Sequence, residues 1–139
     1  MSLHFLLDAN VLSEPLKPIP NPAVLKHIER HRVEAATAAP VWNELLYGCH
    51  QLPESKRRTT IEAYLWETLA PSLLVLPYDA RAAERHAVER ARLSATGRTP
   101  PFVDGQIAAI AFVNDLVLVT RNDTDFVAFE ELRIENWWE

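Results

Sequence analysis

Phe5-Leu6-Leu7-Asp8-Ala9-Asn10-Val11-Leu12-Ser13-Glu14 carries an apolar strand straight into an acid and then into a helical pattern. Residues 3–7 read as a first strand and residues 10–16 as a short helix. The alternation continues downstream. Pro15, Pro18, Pro20 and Pro22 make a rigid connection to a helix over residues 23–31, whose Val24, Leu25 and Ile28 share one side. Residues 33–38 form a second strand despite their alanine content. Pro40 opens a helix with Val41, Leu45 and Gly48 at helical spacing, which puts Glu44 in its second turn and ends at Pro53. The next helix, residues 54–69, repeats Ile61, Leu65 and Leu69 every fourth place beside Tyr64, a stripe suited to a core or a dimer face. Residues 73–76 are a short strand. Asp79 then caps a long helix that runs to Ala95 and stops at Gly97. Pro100-Pro101 opens the helix of Asp104, Ile107, Ala108 and Ala111, residues 116–119 are a fourth strand, and residues 132–137 a last one. Strands alternating with helices in this way predict a three-layer α/β/α domain around a mainly parallel sheet of four to five strands.

The chain has 139 residues, 48% of them hydrophobic, which suits one compact domain spanning 1–139. Its one cysteine, Cys49, has no partner for a disulfide or a thiolate zinc site, so a reducing, cytoplasmic setting is expected. The amino terminus lacks a basic leader and meets a charge at Asp8, so neither a signal peptide nor a membrane span is expected there. A net charge of -5 excludes a protein held to nucleic acid by overall basicity. Arg81, Arg85 and Arg92 fall near one helical face and offer a stripe for phosphates, or a solvated face paired with Glu84 and Glu89.

The acids are placed informatively. Asp8 follows the first strand, and Asp123 and Asp125 follow the fourth, at the carboxyl edge where parallel sheets bind ligands. Glu44 and Asp104 lie early in helices whose starts face the same edge. Carboxylates brought together repel and raise one another's pKa unless a cation neutralises them. An oxygen-only set favours magnesium or manganese, and the chemistry such a site serves is phosphodiester hydrolysis. His4, His27, His31, His50 and His86 show no ligand spacing. Each acid also has a plainer role: Asp8 as a helix cap, Asp104 as a partner of the helix dipole, Asp123 or Asp125 as a turn residue. Glu44, on a face expected to be mostly buried, needs a partner, and Gly48 one turn on costs about 1 kcal/mol of helix stability relative to alanine.

The sequence resembles the PIN-domain ribonucleases of the VapC toxin type. The opening motif, Val41-Trp42-Asn43-Glu44-Leu45 with Gly48, Val103-Asp104-Gly105-Gln106-Ile107-Ala108-Ala109, and Val119-Thr120-Arg121-Asn122 with Asp125-Phe126 match that family's four motifs in order, over essentially the whole chain. The resemblance implies a PIN-like fold and a catalytic set of Asp8, Glu44, Asp104 and Asp125, with Asp123 as a further metal ligand. It implies Asn10, Ser13, Thr120 and Asn122 as supporting polar groups. It also implies Mg2+, with Mn2+ as a substitute, and RNA as substrate, tRNA or ribosomal RNA in particular. A homodimer and a cognate VapB-type antitoxin whose carboxyl-terminal segment lies over the active-site groove complete what it implies. Two positions depart from the pattern: Ala9 stands where threonine is common, and Gly105 where alanine or serine is frequent.

Competing classes fit less well. A haloacid-dehalogenase phosphatase needs a second Asp at the place of Asn10. A receiver domain with Asp79 as phosphoacceptor wants paired acids after the first strand and a lysine after the last core strand. A PIN-like binding module without catalysis is disfavoured by the complete acidic set. Trp137-Trp138 suits core packing better than a partner surface.

Overall fold

A computed structural model describes residues 2–139. Five parallel strands, β1 (Phe5–Leu7), β2 (Ala35–Ala38), β3 (Leu74–Leu76), β4 (Val117–Val119) and β5 (Ile134–Glu135), form one sheet in the order β3-β2-β1-β4-β5. The chain builds outward from β1 through β2 to β3, then crosses back to lay β4 against the other side of β1. The reversal therefore falls between β1 and β4, and the carboxyl ends of those two strands flank a crevice.

Among the described residues, six α-helices connect and cover the strands: α1 (Ala9–Ser13), α2 (Pro22–His31), α3 (Ala39–His50), α4 (Lys56–Ala63), α5 (Ala80–Ala95) and α6 (Phe102–Val113). The punctuation residues act as their chemistry dictates. Asn21 accepts bonds from the Ala23 and Val24 amides at 2.9 and 3.2 Å and starts α2, with Pro22 in the first turn. Asp79 caps α5 through the Ala82 amide at 3.0 Å. Gly97, at φ 81°, turns the chain so that the Arg98 amide reaches back to the Leu93 carbonyl at 2.9 Å.

The alanines of β2 have a packing reason. All its residues are buried, so both faces of the sheet are covered there, and small side chains let the layers approach. Thr37 keeps its hydroxyl satisfied by donating to the Leu7 carbonyl at 2.8 Å. α6 is apolar around most of its circumference and lies in the core, with Ile107, Ile110 and Ala111 at most 1% exposed. Trp137 is also core, 1% exposed, against Phe5, His27 and His31.

Several boundaries differ from the sequence expectation. β2 starts only at Ala35, because Arg32–Glu34 form a single 3₁₀ turn around the exposed Val33. The expected helix over residues 54–69 becomes α4 followed by a π-helical stretch, Tyr64–Leu69. In an α-helix every fourth residue advances about 40° around the axis, whereas the wider π turn brings such residues nearly into line. Leu65 and Leu69 are buried in that geometry, and Tyr64 donates to the Leu12 carbonyl at 2.6 Å, so the stripe packs inward. Glu14 is buried at 2% exposure, pairs with Lys17 at 2.8 Å and accepts the Asn21 amide at 2.8 Å, pinning the proline connection. The lysine first, then that amide, hold its carboxyl below the usual range.

Candidate active site

Asp8 leaves β1 where β4 ends beside it. Its amide donates to the Val119 carbonyl at 3.0 Å, which fixes its backbone to the switch point. One carboxylate oxygen accepts the Ala9 amide and the other the Thr120 hydroxyl, both at 2.8 Å. Thr120, fully buried, also receives Asn10 Nδ2 at 3.4 Å and the Asn122 amide at 3.1 Å, while Asn10 Oδ1 accepts the Arg121 amide at 3.2 Å. Residues from the first and last motifs thus hold Asp8 in one orientation. Asn122 takes part through its backbone. Ser13 donates to the Ala9 carbonyl at 2.8 Å, a turn back along α1, and touches no carboxylate.

The remaining acids gather around Asp8 electrostatically. Burial pushes Asp8 above the ordinary carboxyl range and the Asp125 charge adds to the rise, against the pull of Ala9 and Thr120. Glu44 is raised first by the partial enclosure of its carboxyl group and then by the charges of Asp8 and Asp104. Asp104, in the first turn of α6, is raised by burial, Asp125 and Asp8. Asp8, Glu44 and Asp104 therefore each feel the charge of at least one neighbouring carboxylate. Asp123 opens the 3₁₀ turn Asp123–Asp125.

Glu44 lies in the second turn of α3, but its side chain is exposed, contrary to the expectation of a mostly buried face. Asn43 and Tyr47 are exposed as well, Trp42, Leu45 and Leu46 are half-buried against the core, and only Val41 and Cys49 of α3 are fully buried. Nor does Gly48 relieve crowding: a β-carbon there would meet nothing within 4 Å. No group of three or more Asp, Glu, His or Cys side chains among the described residues stands in ligating geometry. The donor set fits a hard divalent cation by its chemistry, since it offers only oxygens and concentrated negative charge. Glu44 and Asp125 are exposed, and so retain the side-chain freedom to converge on Asp8 and Asp104.

Behind Asp104 lies a contact that the sequence pattern did not reveal. His86 of α5 is 4% exposed and packs against Gly105, where a β-carbon would fall 2.2 Å from its Nε2 and 2.6 Å from its Cδ2. Its Nδ1 pairs with the Tyr78 hydroxyl at 2.8 Å, and its ring rests on Phe102 at 4.7 Å between centroids. Burial and then the Arg90 charge lower its pKa, so the ring is held neutral. The departure at Gly105 is thus a packing exchange: the imidazole occupies the room a methyl would need. A glycine inside a helix was the available signal.

The arginine stripe resolves toward its structural reading. Arg85 lies over the Phe112 ring at 3.7 Å and donates to the Glu130 carbonyl at 2.7 Å. Arg92 makes paired bonds of 2.9 Å to Glu89 and reaches the Ala128 carbonyl at 2.7 Å, while Glu89 accepts the Glu130 amide at 2.7 Å. Two members of the stripe are consumed in tying α5 to the loop before β5, with Glu89 as their partner. Asp79, the candidate phosphoacceptor, is engaged as the α5 cap.

The fold and the carboxylate rim at its switch point agree with a match to the PIN domain family model over residues 5–132, and the chain belongs to that family. Several proteins it resembles are named VapC. It is 34% identical to VapC ribonuclease Y4jK of Sinorhizobium fredii, over 96% of this chain and 97% of that protein. It is 31% identical to the tRNA(fMet)-specific endonuclease VapC of Shigella flexneri, over 97% of this chain and 98% of that protein. Among solved structures it is similar to DNA-bound VapBC from Salmonella typhimurium, with a TM-score of 0.82 and 28% identity over 97% of this chain and 98% of that one.

Proposed function

We propose that this protein is a divalent-metal-dependent endoribonuclease and the toxin of a VapBC-type pair, acting in the cytoplasm on tRNA or ribosomal RNA. The observation that carries the reading is the rim at the β1–β4 switch point, where Asp8 is fixed by Val119 and Thr120 and where burial, with the charges of neighbouring acids, pushes Asp8, Glu44 and Asp104 above the ordinary carboxyl range. Similarity to proteins named as a VapC ribonuclease and a tRNA-specific endonuclease supports the substrate class.

Asp8 and Asp104 are the fixed ligands in this reading: one is locked by Thr120, the other anchored in the first turn of a buried helix. Glu44 and Asp125 complete the set from the exposed side. Magnesium, or manganese in its place, when bound supplies positive charge to the scissile phosphate and acidifies a water. Glu44, exposed and raised in basicity by its neighbours, is placed to accept the proton of the attacking water at a carboxylate oxygen. Asp123 serves the turn that presents Asp125.

A VapB-type antitoxin is the proposed partner, supported by the similarity to a VapBC complex, and a homodimer is the proposed assembly. Exposed Tyr47 and Trp66, the latter edge-on to Trp42, are apolar surface available for either. No helix among the described residues is long and apolar enough to cross a membrane.

Purified protein freed of any co-purifying antitoxin is expected to cleave structured RNA in Mg2+ or Mn2+ and to stop in chelator. Asp104→Asn is expected to lower cleavage at least a hundredfold, as loss of a ligand does, while its circular dichroism spectrum is unchanged. Cleavage that persists in chelator, or at full rate in a folded Asp104→Asn variant, refutes the reading.

A further inference from the structure

Two grooves adjoin the acidic rim, and each contains part of it. One, of about 520 Å³, is mostly apolar, with Glu44, Ser13, Lys17, Arg57 and Thr60 as the polar groups of its lining. The other, of about 430 Å³, is lined by Asp104 and Asp125 together with Arg98, Thr99 and Thr124. Every acid of the proposed catalytic set except the buried Asp8 thus shares a groove with a cation.

Several other arginines are already paired within the protein. Arg58, Arg85, Arg92 and Arg133 are each committed to a carboxylate within 4 Å. Arg57 and Arg98 are exposed and, among the described residues, have no ion pair and no side-chain hydrogen bond. In a protein of net charge -5 an uncompensated guanidinium beside an acidic rim keeps its charge for an outside anion. Lys17, by contrast, is held by Glu14 at 2.8 Å.

A polyanion laid across four carboxylates meets repulsion wherever no cation offsets it, and cations on both flanks help to hold it in register. Resting on the nuclease reading, we infer that single-stranded RNA crosses the rim from one groove to the other, with a phosphate on Arg57 at one side of the cut and a phosphate on Arg98 at the other. Ser13, Thr60, Thr99 and Thr124 add neutral hydroxyls along the same track, suited to phosphate and ribose oxygens. The contacts are to the backbone and carry no base preference. Their role is to place the scissile phosphate, so both arginines are positioning residues.

The test measures binding of a fluorescein-labelled single-stranded RNA of about twelve nucleotides to the full chain in an Asp104→Asn background, which suppresses cleavage. Arg57→Gln and Arg98→Gln are each expected to weaken binding about fivefold and to reduce the slope of log affinity against log salt by about 0.7. Arg133→Gln, which lines neither groove and is paired with Asp115, is expected to change neither. In the otherwise unsubstituted protein the two variants raise KM and leave kcat largely intact. Unchanged affinity and slope for both, while the unsubstituted protein cuts RNA, overturns the path and leaves the nuclease standing. Unchanged RNA binding combined with loss of a co-purifying antitoxin assigns the grooves to a protein partner and likewise overturns it. Failure of the unsubstituted protein to cut any RNA in Mg2+ or Mn2+ removes the nuclease reading and the path together.

Discussion

Replacing Gly105 by alanine sets two well-measured effects against each other. Helix propensity alone favours the change by about 1 kcal/mol. Packing opposes it, because the added methyl would stand 2.2 Å from His86 Nε2 and 2.6 Å from Cδ2, more than an ångström inside van der Waals contact at the closer atom. The ring is 4% exposed, bonded to Tyr78 at 2.8 Å and seated on Phe102, so it cannot swing away freely. Overpacking of this kind costs about 1–3 kcal/mol, and losing the Tyr78 bond adds about 1 kcal/mol. The expected net effect is a destabilisation of about 1–3 kcal/mol, or a fall in Tm of roughly 3–5 °C per kcal/mol for a chain of this length. Thermal and urea unfolding of Gly105→Ala, His86→Ala and the double variant measure it. The double variant is expected to be more stable than the sum of the singles by at least about 1 kcal/mol, because the methyl then enters space the imidazole has left. A Gly105→Ala protein as stable as the parent, or more so, would refute the argument that His86 occupies the alanine's place.

Two further outcomes follow from the charges. The folded pKa of Asp104 is raised, so its contribution to stability is present at low pH and is lost as pH rises through that value. At neutral pH and without divalent ions, Asp104→Asn is therefore expected to melt higher than the parent, while the Tm gain that Mg2+ gives the parent disappears; a lower Tm in chelator would contradict the crowding of the rim. Glu89 behaves oppositely: the Arg92 bond, then the Glu130 amide, hold it below the ordinary carboxyl range. Its stabilisation is complete above the pKa of the unfolded chain and is lost as pH falls through the lower folded value. Glu89→Gln is expected to cost about 1–3 kcal/mol at pH 7 and to flatten the acid limb of the stability curve, checked by urea unfolding from pH 7 to pH 3.

The architecture was written locally. Apolar runs that end in acids, Asn21 and Asp79 at helix starts, Gly97 at a helix stop and the prolines between them mark the elements with errors of a residue or two. Such signals are legible because they rest on backbone hydrogen bonding and turn conformation within a few residues. The position of Asp8, Glu44, Asp104 and Asp125 at strand ends and helix starts was equally plain. Only tertiary structure decided the rest. The strand order placed β4 beside β1, so that Thr120 could lock an aspartate 112 residues away. It turned Glu44 outward, consumed Arg85 and Arg92 in a bridge to Glu130 and Ala128, and filled the space beside Gly105 with an imidazole from another helix. Those outcomes depend on which surfaces meet across the core, and contacts between residues distant in the chain leave no periodic trace in a single sequence.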